Sequence, residues 1–487
     1  MSHLTLEQCE VLLRDLSSMG SAGRAENEDK DRFPRTYYPV PEHARVLDPD
    51  VVLVVGDRGA GKSELFRAMH TGLVPAMSRG TSSVRLTPSN KTSWVAGFPL
   101  GTEFPDQAAL RRFVDQHDHD REAVQELWFA YLARILLNVS AGKLQGLAAI
   151  PGGALSDVFE AFRNARDDAL LSIDELDRQL VQQDRWTFVS YDELDTITGA
   201  SWKAMGSVIR GLVSFWANYA RRWQRVRAKV FLRTDIFRRH TEMLGADISK
   251  LAANRAELTW SDKHLYAMLL KRVANTSVDL REYCRAARIK GEDEKLISWV
   301  PTLSRAEDAR PFVERLAGKY MGANANKGAT FRWLLDHLRD GRKRIVPRTL
   351  VRLIEKAAVH ELDVRRATPP RLLHHTSIRR ALDDVSREHV LEVNTSELPW
   401  LPGVRNRIRR QLVPLLRKEA EELLGVRFDE PWGDDPLVRP PAADPHELVD
   451  YLLELGVLRE RVDGRLDCPD LYRAGLELQG KGGVARE

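Results

Sequence analysis

Val51-Val52-Leu53-Val54-Val55-Gly56-Asp57-Arg58-Gly59-Ala60-Gly61-Lys62-Ser63 is the stretch on which the fold turns. An apolar run suited to a buried strand leads straight into a full match to G-x-x-x-x-G-K-[ST], and Glu64-Leu65-Phe66-Arg67-Ala68-Met69 then reads as helix. Strand, glycine-rich turn and helix in that order make a cradle for a phosphate chain. The glycines let backbone N–H groups turn inward with no side chain blocking the approach. The helix N-terminus adds its partial positive charge. In this pattern Gly56, Asp57, Arg58, Gly59, Ala60 and Gly61 wrap the phosphates, Lys62 reaches the β and γ phosphates, and the Ser63 hydroxyl binds Mg²⁺. The expectation is an α/β fold, a parallel sheet flanked by helices, that binds a nucleoside triphosphate with Mg²⁺.

A hydrolytic partner for the loop needs an acidic pair at the end of a neighbouring strand, and the tetrapeptide Asp-Glu-Leu-Asp occurs twice. The first copy, Asp174-Glu175-Leu176-Asp177, follows Ser172, and Ser172 with Glu175 reads as a helix capping box. That copy is expected to start a helix. The second copy follows Trp186-Thr187-Phe188-Val189-Ser190-Tyr191, which is apolar and aromatic enough for a buried strand. Asp192 and Glu193 then stand at the carboxyl end of a strand, where open α/β sheets place their ligands. Asp192 is the candidate for holding Mg²⁺, directly or through water, and Glu193 for polarising the water that attacks the γ-phosphate.

Beyond this pair, Lys229-Val230-Phe231-Leu232 reads as another strand, ending in Arg233-Thr234-Asp235, where Asp235 can cap the helix that begins Ile236-Phe237. Arg255 precedes Ala256-Glu257-Leu258-Thr259-Trp260, a plausible last sheet strand, and Ser261-Asp262 opens a helix with Leu265, Met268, Leu269 and Val273 on one face. Pro347 suits a helix N-terminus, with Arg348 in its first turn and Leu350, Leu353, Ile354 and Ala357 on its apolar face. Near the end, Asp444-Pro445-His446-Glu447 is an N-cap, a proline at N1 and an acidic N3, and Gly456 closes that helix. Val457–Val462, Asp463-Gly464 and Arg465–Cys468 follow as a hairpin with a two-residue turn, so the C-terminus reads as winged-helix-like. At the other end, Thr5 with Gln8 opens a helix carrying Leu6, Cys9, Leu12, Leu13 and Leu16, and Ser17–Arg32 reads as a flexible linker.

Composition narrows the function classes. Hydrophobic content of 43% with 30% charged residues suits a soluble globular chain. A net charge of +4 neither demands nor excludes nucleic acid. Three scattered cysteines, Cys9, Cys284 and Cys468, fit a reducing interior better than a disulfide framework or zinc site. The N-terminus lacks a signal-peptide pattern, and the apolar run from Trp128 to Val139 is too short to span a membrane, so a cytoplasmic location is expected. His117-Asp118-His119-Asp120 and His374-His375 read as surface turns, not metal clusters.

Together, Gly56–Ser63, Tyr191-Asp192-Glu193-Leu194-Asp195, Phe231-Leu232-Arg233-Thr234-Asp235-Ile236-Phe237 and Pro347-Arg348 resemble the AAA+/STAND group of P-loop ATPases, nearest to its origin-recognition-like branch. They are also similar to bacterial "ATP-binding proteins" of undefined role. The resemblance implies a sensor 1 at Thr234 or Arg233, an arginine finger at Arg255 offered to a neighbouring subunit, and a sensor 2 at Arg348 in a helical lid. The bland readings are a strand end with a helix cap, a solvated loop arginine and a solvated first-turn arginine. The implied organisation is an N-terminal helix and linker over 1–32, an ATPase core over 33–260 with a helical insertion within 85–185, a lid over 261–360, and a helical region with the winged-helix-like domain over 361–487. About 130 residues separate the two nucleotide motifs, a departure from the common pattern. Tyr37 or Tyr38 is either an adenine neighbour or a core aromatic. The function implied is a regulatory ATPase switch, acting by self-association or on an effector protein, in bacterial defence or mobile-element conflict. A DNA-binding initiator or transposition-type ATPase is the alternative, with Arg405, Arg407, Arg409, Arg410, Arg417 and Lys418 as phosphate contacts. A P-loop phosphotransferase is the third reading; the membrane is not a partner.

Overall fold

A computed structural model of the chain describes residues 4–20, 31–78, 87–99, 106–137, 155–198, 201–241, 249, 251–396, 398–433 and 438–480. Most of the stretch read as a linker and part of 85–185 lie outside these residues. The chain divides into two compact units: Pro39–Thr259 is one, and the N-terminal helix, the segment before Pro39 and everything from Trp260 belong to the other.

Helix α1 (Leu6–Ser17) starts with the capping box expected at Thr5: its hydroxyl accepts from Gln8 N–H, and the Gln8 side chain accepts from Thr5 N–H. Its buried face of Cys9, Leu12, Leu13 and Leu16 joins the core of the helical unit. The single turn α2 (Phe33–Thr36) follows. Tyr37 is buried with its ring 5.6 Å from Phe33, and Tyr38 packs beside His264, so both serve as aromatics of that helical unit.

The unit Pro39–Thr259 is built on β1 (Leu53–Gly56), α3 (Lys62–His70), α4 (Val74–Met77), β2 (Thr92–Phe98), α5 (Gln107–Gln116), α6 (Arg121–Leu137), α7 (Leu155–Gln182), β3 (Trp186–Tyr191), α8 (Trp202–Tyr219), β4 (Val226–Arg233), α9 (Thr234–Thr241) and β5 (Ala256–Glu257). The five strands pair in parallel in the order β2-β3-β4-β1-β5. Parallel strands must be covered on both faces, which is why β3 is buried along its whole length and reads as mainly apolar and aromatic. The fold is thus α/β, as expected. The 85–185 region holds β2 and α5–α7, and these helices share one apolar core with the sheet through Leu127, Trp128, Phe129, Phe162 and Trp216.

The first Asp-Glu-Leu-Asp copy corrects an expectation. It does not start a helix but lies deep inside α7, a continuous helix of 28 residues. Ser172 makes no cap there: its hydroxyl donates back to Asp168 O at 2.7 Å, the local bond open to a serine within a helix. The acids of this copy brace the chain as it enters β4. Asp177 is buried and accepts from the N–H groups of Gln224, Arg225 and Val226 at 2.8, 2.7 and 2.9 Å. Asp174 pairs with Arg222 and accepts from Trp223 Nε1 at 2.9 Å.

The helical unit continues with α10 (Asp262–Thr276), capped by Ser261 as expected, and α11 (Val278–Ala286). The hairpin β6 (Gly291–Glu294) and β7 (Ser298–Pro301), α12 (Arg310–Ala317), α13 (Thr330–Asp336), α14 (Pro347–Val364) and α15 (His375–Ser396) follow. Proline at N1 starts α14. The buried Glu361 near its end accepts from Arg366 N, Ala367 N, His374 N and the Ser377 hydroxyl, which fixes the turn into α15.

The C-terminal part consists of α16 (Leu401–Ile408), β8 (Leu412–Val413), α17 (Arg417–Gly425), α18 (Pro445–Leu455), β9 (Arg459–Glu460), β10 (Leu466–Asp467), α19 (Asp470–Arg473) and β11 (Gln479–Gly480). The Asp444 side chain accepts from Glu447 N–H to cap α18, and Gly456 ends it at φ +80°, where glycine is favoured. β9 and β10 form the expected antiparallel hairpin, and Leu415 bridges to Leu466 beside it. The carbonyl end of α18 sits in a socket made by the loop before α14. Gly341 N–H donates to Gly456 O at 2.7 Å, while Arg342 and Arg344 donate to Glu454 O and Leu455 O at 3.2 and 3.4 Å. Asp340 shapes that loop by accepting from the N–H groups of Arg342 and Arg344, and a Cβ on Gly341 would come within 2.2 Å of Leu458 O.

Among the described residues, each unit buries one lysine. Lys229 of β4 donates to Asp48 O and Val51 O at 2.5 Å each, and Lys271 of α10 donates to Ile297 O and Trp299 O. Burial brings both ammonium groups down to a pKa of about 7, far below the usual lysine value of 10.5. Between those two values the unfolded chain holds protons that the folded chain has released, so stability rises with pH through that interval. Thermal unfolding followed from pH 7 to pH 10 should show this rise. Lys229→Met should flatten it in the unit Pro39–Thr259, leaving the contribution of Lys271.

Candidate nucleotide site

The loop Gly56–Ser63 has a backbone that calls for its glycines. Gly59 and Gly61 lie at φ +74° and +99°, in the left-handed region that side chains other than glycine's disfavour. Gly56 is constrained by space, since a Cβ there would stand 3.1 Å from the Leu258 side chain and 3.2 Å from that of Ala60. Helix α3 starts at Lys62, directly after the loop, and its first-turn N–H groups have no partners within the helix. The Lys62 ammonium is held at the loop by Gly56 O and Asp57 O at 2.7 and 2.8 Å. Asp57 and Arg58 are partly exposed beside it.

Asp192 follows β3, two places from β1 in the sheet with β4 between them, and its N–H donates to Phe98 O at 3.0 Å. Its carboxyl group is buried, and the Ser63 hydroxyl is hydrogen-bonded to it. Burial pushes the Asp192 pKa up; Ser63, the nearby Lys62 cation and the Glu193 N–H push it back down, and the Asp195 charge raises it again. A buried carboxylate touching an alcohol is a pair of hard oxygen donors, which suits Mg²⁺. That ion is commonly held by one or two protein groups with phosphates and water completing its octahedron. Among the described residues no group of three or more His, Cys, Asp or Glu is arranged to hold a metal without such help. His117 lies against the rings of Phe113 and Phe159, tilted to one and edge-on to the other, and His119 bonds Ser207.

Glu193 has φ +55° and ψ +25°, a left-handed conformation that costs a non-glycine residue about 1 kcal/mol or more. The turn is closed by Thr196, whose N–H and hydroxyl both donate to Glu193 O, at 3.0 and 2.9 Å. Such strain collects where a side chain must be aimed. Glu193 itself is partly exposed.

At the tip of β4, Thr234 is the first residue of α9 and partly exposed, while Arg233 is buried. Strand pairing sets Arg233 directly opposite Gly56. Its guanidinium binds Asp195 at 3.2 Å and makes a two-pronged contact to Asp235, at 3.1 and 2.7 Å. Asp235 is thus an ion-pair partner. Arg255, just before edge strand β5, is tied to Glu257 at 2.6 Å and to Ala252 O, with its guanidinium over Phe237. Arg348 lies partly exposed in the first turn of α14, in the other unit.

Two features escaped the sequence reading. One is the Asp195–Arg233–Asp235 cluster; its signal was an arginine ending a strand, with Asp195 as the last letter of the acidic motif. The other is a contact between His70 Nε2 and the Ser190 hydroxyl at 2.7 Å, which ties the end of α3 to the interior of β3. Burial lowers the His70 pKa and so favours the neutral ring there. No sequence signal pairs these two residues.

No protein-family model and no curated protein matches the chain. Among solved structures it is similar to the ORC2 protein of Aeropyrum pernix in its ADPNP–ADP complexes, at 12% identity over 93% of each chain with a TM-score of 0.38. It is also similar to Cdc6p of Pyrobaculum aerophilum, at 10% identity over 93% of each chain with a TM-score of 0.28.

Proposed function

We propose that this protein is an ATP-hydrolysing regulatory switch. The observation that carries the reading is the meeting of Ser63 and Asp192 beside Lys62, with Glu193 in a strained turn one residue on. In this reading the phosphate loop and Lys62 hold the triphosphate, and Ser63 and Asp192 hold the Mg²⁺ that neutralises its charge. Glu193 takes a proton from a water molecule as the water oxygen bonds to the γ-phosphorus. The bond from that phosphorus to the β,γ-bridging oxygen breaks, leaving ADP and inorganic phosphate. Thr234, at the tip of the strand between the two motifs, is proposed as the group that senses the γ-phosphate. Arg255 acting on a second copy and Arg348 acting from the helical unit are further proposals, resting on the resemblance alone.

The purified chain should turn over ATP with Mg²⁺ and no added acceptor, and the turnover should fail when Mg²⁺ is chelated. A phosphotransferase would need an acceptor. Molecular size, measured with and without a slowly hydrolysed ATP analogue, tests the self-association arm: nucleotide-driven assembly supports Arg255 acting in trans, and a constant monomer removes that role.

An effector protein is favoured over duplex DNA as the partner read out by the helix–hairpin, which we read as winged-helix-like. Two of the arginines suited to phosphate contact are engaged within the chain. Arg407 donates to Val426 O and Arg427 O and stacks on Trp432, and Arg417 pairs with Glu421 and Asp450. The exposed side of α18 carries Glu447, Asp450 and Glu454, which would repel a phosphate backbone. The role in bacterial defence or mobile-element conflict is proposed by analogy only.

A further inference from the structure

We infer that Arg233 is a positioning residue for hydrolysis: through Asp195 it holds the turn that aims Glu193. The inference rests on the ATPase reading above and adds to it a part that touches neither water nor nucleotide.

The argument starts from how the guanidinium is spent. The Arg233 side chain is only 4% exposed, so its charge must be neutralised where it lies, and two partly buried carboxylates do this. Asp235 shares its helix start and takes the fork at Nε and Nη2. Nη1 reaches across to Asp195 on the turn after β3. Thus one rigid strand end, register-locked to the first glycine of the phosphate loop, grips the next strand's exit turn.

That turn needs gripping. Glu193 is left-handed, and two tethers on the turn are Thr196, which closes back on Glu193 O, and Asp195, which is bonded to Arg233. Without the second tether the turn can relax toward ordinary backbone angles, and the Glu193 carboxylate leaves its line to the water. A displacement of about 1 Å at such a group can lower rate about 10²-fold with little effect on substrate binding. An arginine fits the task better than a lysine, since its planar fork serves two carboxylates in fixed geometry.

Arg233→Met and Asp195→Asn should each lower kcat for ATP by about 10- to 100-fold while KM and the affinity for a fluorescent ATP analogue stay within about threefold. The double variant should be no slower than the worse single variant, because both act through one bond. Asp235→Asn, which leaves the Asp195 arm intact, should lose less than either. Asp195→Asn is close to isosteric and partly exposed, so it keeps the test open if Arg233→Met does not fold. Unchanged kcat in the single variants overturns the inference, as do additive losses, or losses of kcat, analogue binding and melting temperature in parallel. A wild-type chain that binds ATP without hydrolysing it overturns the ATPase reading and this inference together.

Discussion

Glu193→Gln is expected to lower ATP turnover by about 10²- to 10⁴-fold, the usual contribution of a positioned general base, while leaving ATP bound. The amide keeps the size and hydrogen-bonding reach of the carboxylate but cannot accept the proton. Binding survives because the groups read as holding the triphosphate lie elsewhere: the loop Gly56–Ser63, whose Gly59 and Gly61 adopt the required backbone. Lys62→Ala should fail differently, losing affinity and turnover together. Fluorescent-nucleotide titration beside a phosphate-release assay separates the two patterns. Loss of nucleotide affinity in Glu193→Gln would remove Glu193 from the role of base.

Asp177→Ala is expected to cost about 3–5 kcal/mol of stability, in the range for breaking a buried charged hydrogen-bond network. Its carboxylate accepts three consecutive backbone N–H groups at the start of β4, and alanine would leave all three without that acceptor, the Val226 N–H in a fully buried position. The neighbouring Glu175 is half-exposed and pairs with Arg178 and Gln179 on its own helix, so Glu175→Ala should change stability by no more than about 1 kcal/mol. Chemical denaturation of both variants checks the contrast. The same four letters thus have opposite uses: in one copy the acid supports the sheet's scaffold, and in the other it is read as supporting chemistry.

That contrast shows what was legible in the sequence and what was not. β3 follows from Trp186–Tyr191 because a parallel strand buried on both faces is mainly apolar and aromatic, here with Thr187 and Ser190 as its polar residues. Helix starts at Thr5, Ser261, Pro347 and Asp444 were legible because caps are local chemistry. The first acidic copy misled for the same reason: Ser172 and Glu175 satisfy the cap pattern, yet apolar residues from Leu155 to Leu180 bury one continuous helix, and packing outweighed the local signal. At the site, the loop and the Asp192-Glu193 pair could be singled out from sequence. The left-handed turn at Glu193 and the clamp from Arg233 could not, since they depend on which strands lie side by side.

The socket around the end of α18 has a consequence for how the C-terminal region can be cut or exchanged. A helix's last carbonyls need donors, and here Gly341, Arg342 and Arg344 supply them from a loop about a hundred residues earlier in the chain. Removing the helix–hairpin would strip that loop of the oxygens it was shaped to meet, only a few residues before α14 begins. Grafting a foreign domain onto the same point would meet the clearance at Gly341, which excludes even a methyl group. The helix–hairpin is therefore no detachable appendage, and a shortened chain that is to keep α14 intact must carry Pro445–Leu455 with it.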